Sequence, residues 1–187
     1  MNTNHLRQSR LRRNGRRGAE MLEFTFAFLP LICMILVFLD ITWAIFAKST
    51  LNYAVRMGLR YGITITGTQA TAANSDLAAM TKARVQSTSV GLLAGSAGLA
   101  KIKVHFYQPP SPGSNTAPTL VDSAADANKP LNIMQVSVEG FNLSPLVPRI
   151  FDWRTRGAPD KSSTPIAATS YDMIEPSRDV PPKGTVP

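Results

Sequence analysis

Arg16-Arg17-Gly18-Ala19-Glu20-Met21-Leu22-Glu23-Phe24-Thr25 is the stretch that decides this chain, because there an arginine-rich leader meets an apolar run. From Phe24 to Ala47 the only polar residues are Thr25, Asp40 and Thr42. As a helix, that run rises about 36 Å at 1.5 Å per residue, enough to cross a hydrocarbon core of roughly 30 Å. Trp43 and Lys48 mark its far boundary as an interfacial aromatic and a snorkelling cation. The arginines ahead of it predict a cytoplasmic N-terminus by the positive-inside rule. A carboxylate at the mouth of such a helix costs roughly 2.5–3.5 kcal/mol if it reaches bilayer depth. Glu23 therefore needs a use.

The arrangement resembles the processing site of type IVb prepilins and pseudopilins, in which a dedicated peptidase cuts after a glycine and glutamate becomes the fifth mature residue. The resemblance makes Gly18 the last leader residue, Ala19 the new N-terminus, and Glu23 and Phe24 the fifth and sixth positions. Gly15 with Glu20 offers a second frame, but it leaves Arg16 and Arg17 at the head of a helix entering lipid and lacks the following aromatic. A secretory signal cut after Ala47, in Ala44-Ile45-Phe46-Ala47, is the rival for this region. Its apolar run is too long and its start carries two glutamates.

The net charge of +8 and pI near 10.1 do not point to nucleic acid. Six arginines, Arg7, Arg10, Arg12, Arg13, Arg16 and Arg17, lie in residues 1–18 without an acid among them, leaving +2 for the rest. The single cysteine, Cys33, falls within the apolar run, reads as a small hydrophobe and excludes an intrachain disulfide.

Beyond the membrane the helical pattern continues. Leu51, Val55, Leu59 and Gly62 fall on one face, with Ala54 and Gly58 beside them, and Lys48, Asn52, Arg56 and Arg60 fall largely opposite. The helix is predicted over 19–62, with Gly62 as its stop. The sequence Asn52-Tyr53-Ala54-Val55-Arg56-Met57-Gly58-Leu59-Arg60-Tyr61-Gly62 resembles the "AARxGARxA" end of the first helix in TadE-like pseudopilins. Asp40 sits where that family carries an acid late in its membrane segment. Val55, where the family has alanine, and Glu20, a second acid in the first turn, depart from the pattern.

Residues 63–174 read as a periplasmic α+β head. Thr64 to Asn74 is a polar connector, and Leu77 to Leu93 a second helix capped by Asn74 or Ser75, using Leu77, Met80, Ala83 and Val90. Three strands follow by alternation: 101–106 with Ile102, Val104 and Phe106 inward, 133–139 with Met134, Val136 and Val138 inward, and 165–173. Residues 108–130 form a long Pro-rich loop, expected to be mobile at its tip. Phe141 to Arg149, with Pro145 and Pro148, is expected to leave the sheet. The tail 175–187 holds four prolines and is expected to be disordered. The fold expected is α+β: a long helix carrying a roughly three-stranded antiparallel sheet, pilin-like.

No enzyme is legible. His5 is in the leader, and His105 lies on the polar face of a strand with no second histidine or cysteine nearby, so no metal and no cofactor is expected. No phosphate-binding loop or catalytic triad can be assembled. Asp122, Asp126, Asp152, Asp160, Asp172 and Glu175 read as scattered, solvated acids. Pro30 removes one hydrogen bond inside the membrane helix and offers a flexible turn.

Cleavage after Gly18 would place an ammonium on Ala19, mostly charged at neutral pH. That charge and the Glu23 carboxylate are both costly in lipid, and pairing across neighbouring subunits offsets both. The resemblance implies a minor pseudopilin of a Flp (tight adherence) pilus machine. It implies as partners a prepilin peptidase, other pseudopilins, the major pilin, and inner-membrane platform proteins. The alternative is an uncleaved single-pass anchor carrying a periplasmic binding module.

Overall fold

The computed structural model describes residues 4–125, 127–143, 164–176 and 179–186, with side chains from Gly18 onward. Expectations about Asp126, Pro145, Pro148, Asp152 and Asp160 lie outside the described residues. The elements in chain order are α1 (Asn4–Thr64), α2 (Gly67–Ala72), α3 (Leu77–Thr88), α4 (Gly95–Leu99), β1 (Ile102–Gln108), β2 (Thr119–Leu120), β3 (Ile133–Leu143) and β4 (Thr164–Met173). The described residues divide into two units, one running up to Trp43 and the other holding Ala44 and the residues beyond it.

In the second unit one face of α1 is sealed against the head. Ala47, Leu51, Ala54, Val55 and Leu59 are buried, while Lys48, Arg56 and Arg60 stay exposed. The core reaches back to Ala44 and Ala47, residues that the sequence assigned to the membrane segment. Phe24 to Trp43 still rises about 30 Å, enough to cross the hydrocarbon core. Cleavage after Ala47 would strip both alanines from that core.

Gly62 does not end the helix. It lies inside α1 because a Cβ there would sit 2.7 Å from Met134 Cε and 2.8 Å from Thr81 Oγ1. The stop comes at Thr64, whose hydroxyl donates to the carbonyls of Arg60 and Tyr61, both at 3.1 Å. The expected connector contains α2, opened by a capping box. Gln69 N–H donates to Thr66 Oγ1 at 3.3 Å, and Thr66 N–H donates to Gln69 Oε1 at 3.1 Å.

The second helix is shorter than its sequence pattern implies, and its cap is Asp76, whose Oδ1 accepts Ala79 N–H at 2.7 Å. It buries Leu77, Ala78, Thr81 and Val85. Ala83 is exposed, and Val90 lies past the helix at φ 52°. Desolvation along α3 lowers the Lys82 pKa, the like charge of Lys103 adds to that, and Asp76 opposes it. Arg84 stacks over the Tyr61 ring at 5.8 Å, a further link between α3 and α1.

The sheet has four antiparallel strands in the order β2-β1-β3-β4. Ile102, Val104 and Phe106 of β1 and Met134, Val136 and Val138 of β3 are buried together, as their alternation predicts. Phe141 does not leave the sheet. A register shift between Val138 and Phe141, with Gly140 at φ +67°, carries β3 on to Leu143 opposite Thr164. Glycine accepts that conformation without a Cβ penalty, and the bulge absorbs the one extra residue of β3.

The tail also differs from expectation. Pro181 is buried, and the carbonyls of Asp179, Pro182 and Lys183 accept the N–H groups of Gly67, Leu77 and Ala78. Asn128 Nδ2 donates to Pro181 O at 2.6 Å, and Lys183 Nζ reaches the carbonyls of Asp122 and Ala124. The free N–H groups at the starts of α2 and α3 need acceptors, and an extended proline-rich strap supplies carbonyls for them.

Candidate functional site in the N-terminal helix

Gly18, Ala19, Glu23, Phe24 and Asp40 all lie on α1. Helical spacing puts Glu23 about 7.5 Å along the axis from Gly18, and Asp40 about 25 Å beyond Glu23. The first four residues therefore share one end of the apolar segment, and Asp40 lies at the other. Gly18 through Leu31 are all exposed, and no part of the most apolar stretch is buried within the chain. By length and composition α1 is compatible with a single membrane-spanning anchor.

The polar side chains of this segment are dealt with in different ways. Thr25 Oγ1 donates to Met21 O at 2.9 Å, and Thr42 Oγ1 donates to Phe38 O at 2.8 Å. Each hydroxyl is thus satisfied by its own helix, which a lipid environment requires. Asp40 is half-buried and is not free. Glu23 is exposed among apolar neighbours, and beside it Phe24 stacks on Phe28 with ring centroids 5.3 Å apart. These rings, one helical turn apart, stiffen the turn that presents the carboxylate.

Gly18 has no structural reason to be glycine. A Cβ built there meets nothing within 4 Å. Within a helix glycine is about 1 kcal/mol less favourable than alanine, so the fold alone favours another residue. Gly58 and Gly62 are the reverse case: a Cβ at 58 would overlap Val85 Cγ2, and one at 62 would crowd Met134 and Thr81.

In the head, sequence reasoning missed one polar pair. His105 Nδ1 lies 2.6 Å from Asp122 Oδ2, and Asp122 Oδ1 accepts Phe106 N–H at 2.6 Å. Asp122 is therefore paired rather than solvated. Its only sequence signal was a position just after β2, a strand too short to announce itself. The carboxylate holds the β2 end of the long loop against β1. Asp122→Ala should lower stability by about 1–3 kcal/mol, since it strands the Phe106 N–H as well as losing the histidine. His105→Ala should cost less, and the difference would be read from denaturant midpoints of the two variants. Equal midpoints would mean that the backbone bond carries nothing. Among the described residues no group of three His, Cys, Asp or Glu is placed to hold a metal ion.

No curated protein and no solved structure matches the chain. The model of one protein family, described as TadE-like protein, matches residues 18–60, from the glycine ahead of the apolar run through both arginines of the amphipathic extension. Over those residues the chain is similar to the TadE-like family, in agreement with the resemblance read from its sequence.

Proposed function

We propose that this protein is a TadE-like minor pseudopilin of a Flp (tight adherence) pilus machine, cut by a prepilin peptidase between Gly18 and Ala19. The mature chain stays in the inner membrane by α1, its head in the periplasm, and packs through the helix against other pseudopilins to initiate or support pilus assembly. The major pilin and the inner-membrane platform proteins are its further partners. It acts as an assembly component and not as an enzyme.

The observation that carries this reading is Gly18. The residue is exposed in a helix, where glycine is unfavourable and nothing crowds its α-carbon. A peptidase that needs an unbranched residue at the scissile bond supplies the reason that the fold does not. The exposed Glu23, five residues on, supplies the second half of the motif.

Gly18→Ile tests it. The branched side chain has room in the helix, so insertion should be unaffected while cleavage stops. On a gel the variant should run as the full precursor beside a shorter wild-type band. Arg7→Ala or Arg10→Ala alone should leave cleavage intact, because orientation depends on summed positive charge. A variant with wild-type mobility, shorter than the precursor, would show that Gly18 is not the processing site.

A further inference from the structure

The amphipathic extension of α1 and the edge strand β4 enclose a cleft of about 320 Å³ within the head, lined by Tyr53, Arg56, Arg60, Tyr171 and Asp172 among others. We propose that this cleft binds a carboxylate-bearing extended segment of a partner protein. The proposal stands on the head alone and needs neither cleavage nor Glu23.

Arg56 and Arg60 are exposed and one helical turn apart, a like-charge spacing that weakens a helix slightly. Three other cations are engaged: Arg84 lies over Tyr61, Lys101 over Phe141, and Lys183 against two carbonyls. Among the described residues neither Arg56 nor Arg60 forms an ion pair. Asp172 lines the same cleft, but its Oδ1 accepts Met173 N–H at 2.8 Å, and two arginines against one acid leave the cleft positive. Planar guanidinium groups match a carboxylate in paired hydrogen bonds. Tyr53, 57% exposed, adds a hydroxyl donor and an apolar wall.

Two features favour a polypeptide over a lipid headgroup. Arg56 lies about 18 Å along the helix past Ala44, whereas the headgroup layer is only about 5–8 Å thick on each side. Residues 170–172 of the cleft belong to β4, the outer strand of the sheet, whose far edge no other strand covers among the described residues. A partner strand laid on that edge gains backbone hydrogen bonds and points alternate side chains at the arginines.

The test is zero-length coupling by a carbodiimide in native membranes holding the full-length Arg56→Lys/Arg60→Lys variant, which keeps the charge and supplies amines. Mass spectrometry should find an amide from one of these positions to an aspartate or glutamate of another polypeptide. Its yield should fall at least tenfold when Tyr53→Glu puts a repelling and competing carboxylate in the cleft. Because Tyr53 is largely exposed, that change should leave the melting midpoint in place. The proposal is overturned by no amide, by amides only to a carboxylate-bearing lipid or to Asp172 of the same chain, or by a yield to other polypeptides indifferent to Tyr53→Glu.

Discussion

Glu23→Gln and Glu23→Ala should leave the protein in the membrane and abolish most of its contribution to piliation. Removing an acid from the mouth of an apolar helix lowers the free energy of insertion, by up to about 2.5–3.5 kcal/mol at bilayer depth. Anchoring should therefore be unchanged or slightly improved. Assembly should fall because the proposed partner of Glu23, the Ala19 ammonium of a neighbouring subunit, then lies in lipid uncompensated. A hydrogen bond to a charged group contributes about 1.5–3 kcal/mol, so each contact should weaken about tenfold to a hundredfold. Asp40→Ala should be milder, since Asp40 lies at the other end of the apolar segment and is already engaged within the chain. Crosslinks between cysteines placed near Leu22 should weaken in Glu23→Ala and persist in Asp40→Ala. Equal piliation and equal crosslinking in wild type and Glu23→Ala would remove the reason for singling out that carboxylate and leave the uncleaved anchor as the better reading.

A large effect on the head should come from Gly58. A Cβ there overlaps Val85 Cγ2, and valine, branched at Cβ, has little freedom to turn away. Overpacking of this kind costs about 1–3 kcal/mol, while replacing a helical glycine by alanine returns about 1 kcal/mol of helix propensity. Gly58→Ala should then be neutral to moderately destabilising. Gly58→Leu has no further propensity gain and a far larger volume to place, so it should lose at least about 3 kcal/mol. For a domain near 100 residues that amounts to roughly 12 °C or more in melting midpoint. Val85→Ala should restore much of the loss in Gly58→Ala, a coupling that direct contact requires. If Gly58→Leu melts with the wild type, α1 and α3 are not packed as described.

Much of this was legible because it is periodic. The buried face of α1 through Leu51, Val55 and Leu59, and the inward rows of β1 and β3, follow from spacing alone. What was missed depends on contacts that leave no local pattern. β2 is two residues long, and Asp122 is recognisable only once β1 lies beside it. The Pro-rich tail looked disordered because its partners, the N–H groups of Gly67, Leu77 and Ala78, are about a hundred residues away in sequence. Gly62 looked like a helix stop because a glycine that admits a neighbour and one that ends a helix read alike. Gly140 did the reverse, allowing β3 to continue where a break was expected. The proposed processing motif stands out in the sequence for a different reason. It is short and contiguous, and it violates what a bare membrane anchor needs at both Gly18 and Glu23. The arginine cleft joins α1 to a strand more than a hundred residues later, and only the fold reveals it.

The most direct test is the N-terminus of the mature protein, isolated from the membranes of cells that carry the pilus machine and sequenced or weighed intact. Cleavage by a prepilin peptidase predicts a chain beginning at Ala19. A chain beginning at Met1 would contradict it and make α1 a permanent tether, and one beginning at Lys48 would mean a protein released from the membrane.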